Sequence, residues 1–171
     1  MKWLKRLAGI VVALLIGFLA VGLFVPQVSI VSRTQVAAAP ETAWSVFMDP
    51  KLAPQWLTYL ESLETVAGAP ETVGSVRRLT FLENGRRIVI DETVTAIEPA
   101  RRFAFDSTGE WMVGSAEVVF TPAGTGTVIE CRSEMRGRGP LWRSVFALSR
   151  TALQRRQDEQ LAKLAALIDV R

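Results

Sequence analysis

A two-residue turn at Asn84-Gly85 constrains the fold most, because it fixes which residues face each other across two strands. On one surface this register pairs apolar residues, Phe81 with Ile88 and Leu79 with Ile90. The same surface brings Arg77 opposite Glu92, and the other surface brings Arg78 opposite Asp91. Two pairs of opposite charge come into register together, which supports this pairing of the strands.

Two further turn signals extend the hairpin into a larger sheet. Four-residue loops at Glu98–Arg101 and Ala123–Gly126 predict four more cross-strand pairs: Ala96 with Phe103, Val94 with Phe105, Phe120 with Ile129, and Val118 with Cys131. One surface is then apolar throughout and the other is charged. This pattern is typical of an antiparallel sheet with one face against the core and the other in water.

Helical patterns flank these strands on both sides. Residues 28–38 alternate like a first strand, and residues 40–48 follow as a short helix that begins with proline. A second short helix ends near Leu57. After Gly139-Pro140 one long helical pattern reaches about Val170. The long helix is the expected cover for the apolar face of the sheet, so the predicted fold class is α+β.

Residues 7–25 form a run of 19 residues without a charged side chain. As a helix that rises about 1.5 Å per residue, the run is roughly 28 Å long, enough to cross the hydrocarbon core of a bilayer. Trp3 stands where an interfacial aromatic residue would, and Pro26 ends the helix. A cleaved signal peptide is the alternative, with Ala20 and Gly22 as its small residues, but the apolar run is longer than such segments usually are.

The basic residues around this run predict its orientation. Lys2, Lys5 and Arg6 precede it, whereas only Arg33 follows shortly after it. The positive-inside rule then places the N-terminus in the cytosol and the rest of the chain on the extracytoplasmic side of the membrane. The expected organisation is a basic cytosolic N-terminus over residues 1–6, a single-pass transmembrane anchor over residues 7–25, and one domain over residues 26–171.

The composition excludes several classes of function. The net charge of +3 comes from the N-terminal segment, since residues 26–171 hold 17 basic and 17 acidic residues. The domain therefore lacks the excess of positive charge that is typical of a nucleic-acid-binding protein. The chain has no His and one cysteine, Cys131, which rules out a Cys/His zinc site, Ser-His-Asp or Cys-His catalysis, and an internal disulfide. We expect neither a metal ion nor a cofactor.

Several degenerate motifs occur in a consistent order along the chain: Val36-Ala37-Ala38-Ala39-Pro40-Glu41-Thr42-Ala43-Trp44, Asp49-Pro50 with Trp56 downstream, Gly68, Val73-Gly74, Glu98-Pro99-Ala100-Arg101-Arg102, and Gly124-Thr125-Gly126-Thr127. With the element order, they make residues 28–168 resemble the START / birch-pollen-allergen-like superfamily called SRPBCC. The polyketide cyclase/dehydrase and lipid-transport family within it is the most similar.

This resemblance implies a helix-grip fold, in which a curved antiparallel sheet wraps around a long C-terminal helix and encloses an apolar cavity. Two short helices follow the first strand, and here one transmembrane helix precedes the domain. Family members bind lipids, sterols, polyketides or other hydrophobic molecules, and a minority catalyse reactions on them. The family has no universal catalytic motif, so the fold alone does not assign an activity.

The inner surface of the predicted sheet and one face of the C-terminal helix supply the residues that we expect to bind a ligand. From the sheet they are Arg77, Leu79, Phe81, Ile90, Glu92, Val94, Phe103, Phe105, Met112, Ala116, Val118, Ile129 and Ser133, and from the helix they are Ser149, Ala152 and Arg156. Apolar walls with a few polar groups are typical of pockets for small molecules. The alternative is a solid core in which the small residues are simply packed.

Arg77 and Glu92 are the most informative polar residues, because both fall on the apolar surface. A buried unpaired charge is costly, so we expect the two side chains to form a pair. The pair is a candidate anchor for the polar group of a ligand, and Glu92 is the candidate catalytic acid or base if burial shifts its pKa. The alternative is a structural ion pair near a strand end or the mouth of the cavity.

For four other residues the sequence predicts a position or a role less specifically. Cys131 should face inward as a small packed residue, and no His is present to activate its thiol. Trp44 and Trp56 are interpreted as core residues or as platforms for a ligand. Tyr59, the only tyrosine, is expected near the mouth of the pocket.

Three functional hypotheses follow. The first is a membrane-anchored domain that binds, and by extension transports, a hydrophobic small molecule or lipid. The second is an enzyme of the cyclase or hydratase type that acts on a hydrophobic substrate in the same cavity. The third is an interaction module that binds no ligand. The sequence leaves the ligand, the oligomeric state and any protein partner undetermined.

Overall fold

The computed structural model describes residues 2–170, and these residues form five helices and seven strands. The helices are α1 (Lys2–Phe24), α2 (Pro40–Met48), α3 (Ala53–Trp56), α4 (Gly139–Leu148) and α5 (Arg150–Asp169). The strands are β1 (Val28–Val36), β2 (Leu60–Ala67), β3 (Val76–Glu83), β4 (Arg86–Glu98), β5 (Arg102–Gly109), β6 (Met112–Ala123) and β7 (Gly126–Gly137).

All seven strands belong to one antiparallel sheet in the order β1-β7-β6-β5-β4-β3-β2. The long-range pairing of β1 with β7 places the first strand beside the last, so the meander curves around its apolar face. The predicted registers of two hairpins are confirmed. Arg77 pairs with Glu92 across β3 and β4, and Val118 pairs with Cys131 across β6 and β7.

The third predicted hairpin is right at one end and wrong at the other. Val94 pairs with Phe105 as expected, but Ala96 pairs with Ala104 rather than with Phe103. A β-bulge between Val94 and Ala96 adds one residue to β4 and shifts the pairing beyond it. Phe103 therefore lies opposite Ile97.

The two ends of the sheet differ, and we name them for what lies between the sheet and the helices. The open end carries the turns at residues 84–85 and 110–111, the start of β1 and the end of β7. The packed end carries the turns at residues 99–101 and 124–125. The largest core cluster of buried residues lies toward the packed end: Val36, Ala43, Val46, Leu52, Val118, Phe120, Ile129, Leu161, Leu164, Ala165 and Ile168.

The predicted long C-terminal helix is present as α5, but a one-residue break divides the helical segment that the sequence predicted from Gly139-Pro140 onward. Helix α4 ends at Leu148, Ser149 leaves helical geometry with φ −88° and ψ 3°, and α5 begins at Arg150. Helix α4 packs against β7 and α1, whereas α5 packs against β1 and the short helices. In α5 the buried residues recur as Leu161, Leu164, Ala165 and Ile168, the spacing of one helical face against a core.

Helix α1 is one continuous helix, and its residues 3–17 are exposed. Within the described part of the chain, one helix, Trp3–Phe24, is long and apolar enough to cross a membrane by length and composition. Its last turns contact α4, where the Gly22 N–H donates a hydrogen bond to the Ser144 hydroxyl at 3.0 Å. The apolar helix is therefore attached to the open end of the domain at a defined point.

Candidate functional site: an internal cavity

A cavity of about 390 Å³ lies between the inner surface of the sheet and helices α4 and α5. Its walls are mostly apolar, and small residues such as Ala116 and Ser133 leave the space that larger side chains would fill. Eleven of the residues expected at the site border this cavity: Arg77, Leu79, Phe81, Ile90, Glu92, Phe105, Met112, Ala116, Val118, Ser133 and Arg156.

Three expected residues from the sheet do not border the cavity. Val94, Phe103 and Ile129 point to the same side of the sheet but are fully buried in the core, at 1%, 0% and 0% exposure. They lie toward the packed end, where the ring of Phe47 from α2 packs on Phe103 at 5.7 Å between centroids. The strand alternation identified their orientation, but the side chains that cover them come from another part of the chain.

Two expected residues from the C-terminal helix are also misplaced. Ser149 lies at the break between α4 and α5, and Ala152 is exposed on the outer side of α5. The residues of α5 that line the cavity are Leu153, Arg156, Gln157, Gln160, Leu161 and Leu164. Counting back by four from Leu161 and Leu164 would have identified Gln157 and Gln160.

The inner pair Arg77 and Glu92 lies on the cavity wall. The Arg77 Nη2 donates to Glu92 Oε2 at 2.5 Å, and both side chains are largely buried, at 18% and 10% exposure. The Arg77 guanidinium also lies over the Phe103 ring, 4.5 Å from its centroid. Burial raises the pKa of the Glu92 carboxyl, and the Arg77 guanidinium offsets part of that rise by charge and hydrogen bonding.

Two residues that line the cavity carry N–H groups that are covered by protein atoms and have no hydrogen-bond partner within residues 2–170. These groups are the Nε of Arg77 and the indole Nε1 of Trp56. Trp56 was interpreted as a core residue or a platform for a ligand, and the structure places it on the wall of the cavity. Trp44 instead packs in the core, with its ring 5.5 Å from that of Phe120.

A polar network closes the side of the cavity near β1 and β7. The Ser133 hydroxyl donates to Gln157 Oε1 at 2.7 Å, and Gln157 Nε2 donates to the Cys131 carbonyl at 3.0 Å. Burial raises the pKa of the Cys131 thiol to about 11. The thiol therefore stays protonated near neutral pH and is a poor nucleophile.

An ion pair lies at the mouth of the cavity. The Arg156 Nη1 of α5 lies 3.0 Å from Glu83 Oε2 at the end of β3, and both side chains are partly exposed. The Arg156 guanidinium also lies over the Tyr59 ring, 5.7 Å from its centroid. Tyr59 is 56% exposed and is not among the residues that line the cavity, so its expected place near the mouth stays a prediction.

Within residues 2–170, no three carboxylate, thiol or imidazole groups lie close enough together to bind a metal ion. The polar groups of the cavity are instead two guanidinium groups, three carboxyl groups, hydroxyls and side-chain amides from Arg, Glu, Ser and Gln, together with the Trp56 indole and the Cys131 thiol. Such a set suits hydrogen bonding to a polar group on an otherwise apolar molecule.

A curved antiparallel sheet that wraps around a C-terminal helix and encloses a cavity defines the helix-grip fold of SRPBCC proteins. The family model described as "Polyketide cyclase / dehydrase and lipid transport" matches residues 27–169, and this chain belongs to that family. None of the curated protein sequences matches the chain significantly.

Solved structures share the fold at low sequence identity. The Zhui aromatase/cyclase from Streptomyces sp. R1128 aligns with a TM-score of 0.71 and 16% identity, over 85% of this chain and 96% of that one. Protein CV1439 from Chromobacterium violaceum aligns with a TM-score of 0.68 and 17% identity, over 82% and 96% of the two chains. The protein Ara h 8.0201 aligns with a TM-score of 0.66 and 13% identity, over 85% and 99%.

Proposed function

We propose that this protein binds a hydrophobic small molecule or lipid in its cavity while helix α1 anchors it in a membrane. The observation that carries the proposal is an apolar cavity of about 390 Å³, two of whose lining residues, Arg77 and Trp56, each carry a buried N–H donor without a partner within residues 2–170. The volume falls within the range of about 300–1,000 Å³ that small-molecule pockets occupy. Membership of a cyclase and lipid-transport family supports the same class of ligand.

The unpaired donors define the chemistry of the ligand further. A buried donor without a partner costs about 1–3 kcal/mol, so a ligand that supplies an acceptor gains affinity there. Arg77 and Trp56 both line the cavity, and a small shift of either side chain would bring its covered nitrogen, the Nε of Arg77 or the Nε1 of Trp56, to a bound acceptor. The preferred ligand is therefore an apolar molecule that carries a carbonyl, hydroxyl or carboxylate oxygen.

The membrane anchor places the domain close to the source of such a ligand. Helix α1 leads into β1 through residues 25–27, so the domain begins directly where the apolar helix ends. A poorly soluble molecule partitions into the bilayer, and a cavity at the membrane surface collects it there. By the positive-inside rule, residues 1–6 lie in the cytosol and the domain lies on the extracytoplasmic side. Transport of the ligand would be an extension of this binding.

A second candidate function is catalysis in the same cavity. The observation that favours it is Glu92, a carboxyl on the cavity wall whose pKa burial raises. A carboxyl of raised pKa can act as a general acid, and solved structures of similar fold include aromatase/cyclases. If Glu92→Gln loses turnover but still binds the ligand, the result favours catalysis. If the variant turns over the substrate as the unmodified protein does, Glu92 is not the catalytic group and ligand binding remains the proposed function.

Two matched probes test the binding proposal on the full chain in detergent. The first is 2-acetylnaphthalene, which has a carbonyl acceptor, and the second is 2-ethylnaphthalene, which has the same shape without it. Native mass spectrometry should show one bound molecule of the ketone and weaker binding of the hydrocarbon. The variant Ala116→Phe, which fills the cavity, should bind neither, whereas Ala162→Phe on the exposed side of α5 should bind both.

The donor of Trp56 can be tested separately. Trp56→Phe keeps an aromatic ring and removes the N–H, so we expect roughly five-fold weaker binding of the ketone and no change for the hydrocarbon. Trp44→Phe is the control, because Trp44 packs in the core and does not border the cavity. No uptake of either probe by the unmodified protein would overturn the binding proposal.

A further inference from the structure

Helix α4 lies at the level where the membrane helix ends. The apolar run of α1 reaches Val25, and the contact of Gly22 with Ser144 lies three residues before that point. At about 1.5 Å per residue, Ser144 is then roughly 4–5 Å inside the end of the apolar run. If α1 spans the bilayer, α4 must lie in the layer of lipid headgroups or just beneath it.

The contact between the two helices is close. A Cβ atom at Gly22 would lie 2.6 Å from the backbone nitrogen of Ser144 and 2.8 Å from the carbonyl oxygen of Pro140. Only glycine lets the helices approach to this distance without a shift of backbone. The position of α4 relative to the membrane helix is therefore set by packing as well as by the short connection from α1 to β1.

The surface chemistry of α4 fits a membrane interface. Leu141 and Leu148 are seven residues apart on one face of the helix and are 51% and 63% exposed. Trp142 stacks on Trp111 of the turn between β5 and β6, with ring centroids 5.1 Å apart. Exposed leucines beside tryptophans are typical of helices that lie in the plane of a membrane surface.

Basic residues are concentrated in the sequence around α4, although Glu110 in the adjacent turn and Glu134 on β7 are acidic and Arg156 is paired with Glu83. Residues 136–157 contain six arginines and no acidic residue, although residues 26–171 as a whole are neutral. The remainder of residues 26–171 then holds 11 basic and 17 acidic residues. A basic segment next to a membrane helix is attracted to anionic headgroups by about 1 kcal/mol per residue near the surface.

The same region borders the cavity. Phe146 of α4 faces inward, and Trp111 and Met112 form the neighbouring part of the wall. Phe146 and the exposed Leu148 thus belong to one helix that faces the cavity on one side and the surroundings on the other. A ligand that leaves the cavity beside α4 would enter the lipid without crossing bulk water.

We propose that α4 lies in the headgroup layer of an anionic bilayer and, with the turn at residues 110–111, forms the passage between lipid and cavity. This inference rests on the proposed function, because it takes α1 as a membrane helix and the cavity as a binding site. It adds a second membrane contact, made by the domain itself.

Site-specific labels test it in the full chain in lipid nanodiscs of phosphatidylcholine and phosphatidylglycerol. The environment-sensitive fluorophore NBD is attached to Leu148→Cys, or independently to Leu141→Cys, in a Cys131→Ser background. The control is Val73→Cys, an apolar position that is 61% exposed in the loop between β2 and β3, at the edge of the sheet away from β7 and α4. We expect a blue shift and roughly two-fold quenching by nitroxide-labelled lipids at the two α4 positions, and neither effect at the control.

Water-like emission at both α4 positions would overturn the inference. A blue shift without quenching by the lipids would overturn it as well, since it would show that a protein rather than lipid covers α4. If the lipids quench the α4 labels but the protein takes up neither naphthalene probe, the membrane contact of α4 is supported and the binding proposal is overturned. Lipid-dependent quenching should weaken when phosphatidylglycerol is omitted, because the arginines would lose their anionic partners.

Discussion

The two ends of the sheet use the same alternation of residues and reach different results. At the packed end, aromatic rings from α2 fill the space, and Phe47 packs within 6 Å of both Phe103 and Phe120. At the open end, α5 presents Arg156 and Gln157 instead, and a cavity remains. Whether a strand position becomes core or cavity wall therefore depends on which helix covers it.

The largest expected difference between the two ends is in how much each contributes to the free energy of unfolding. Substitution of two phenylalanines on β5 measures this difference. Phe103 is fully buried at the packed end, whereas Phe105, two residues further along, borders the cavity. We expect Phe103→Ala to lower the free energy of unfolding by about 3–5 kcal/mol and Phe105→Ala by roughly 2 kcal/mol less than that. Chemical denaturation of the full chain in detergent compares the two. Equal losses would show that the open end is packed as tightly as the other.

The next largest effect comes from separating the inner ion pair. Arg77→Met leaves the Glu92 carboxylate buried without its partner and should cost about 2 kcal/mol, because desolvation is then uncompensated. The double variant Arg77→Met/Glu92→Gln should recover most of that loss, since the buried charge is gone. A double variant as unstable as the single one would mean that Arg77 acts through its packing on Phe103.

A smaller effect concerns pH. Burial raises the pKa of Glu92 in the folded protein. At a pH between the ordinary and the raised pKa, Glu92 is therefore protonated in the folded state and ionised in the unfolded state. The free energy of unfolding should therefore fall as the pH rises through that window. The difference between the unmodified protein and Glu92→Gln isolates this contribution from that of Asp91 on the outer surface, whose pKa Arg78 lowers. A difference that does not change between about pH 4 and pH 8 would contradict it.

The smallest effect on stability is expected at the mouth. Glu83→Gln removes the partner of Arg156, and Glu61→Gln removes the partner of Arg87 on the outer surface. Each change should alter the free energy of unfolding by less than about 1 kcal/mol, because the pairs are partly exposed. Only Glu83→Gln should speed the release of bound 2-acetylnaphthalene, since it loosens the contact across the opening. Equal release rates in the two variants would remove the ion pair from any role at the mouth.

The parts of this structure that depend on neighbours in sequence were predictable from sequence. The turn at Asn84-Gly85 fixed the register that joins Arg77 to Glu92, and the apolar alternation placed both side chains on the inner surface. The break at Ser149 was not predictable, because no proline or glycine marks it. It occurs where α4 packs on α1 and β7 while α5 turns to pack on β1, and these contacts join distant parts of the chain.

The cavity residues also divide into those that local sequence patterns predict and those that contacts between distant parts of the chain position. Leu79, Ile90 and Phe105 follow from strand alternation, whereas Trp56 reaches the cavity from a short helix whose position no local pattern determines. The bulge in β4 also has no sequence signal, and it shifted the partner of Phe103 by one residue. The contact of Gly22 with Ser144 joins residues 122 positions apart, so sequence spacing alone does not indicate it.

The central claim is that the open end holds a ligand. The most direct measurement is mass spectrometry of the lipids and small molecules that co-purify with the full chain, compared with Ala116→Phe and with the surface control Ala162→Phe. We predict a stoichiometric apolar molecule with an oxygen acceptor in the unmodified protein and in Ala162→Phe, and its loss in Ala116→Phe. The same small molecules in all three proteins, or none in the unmodified protein, would contradict the account.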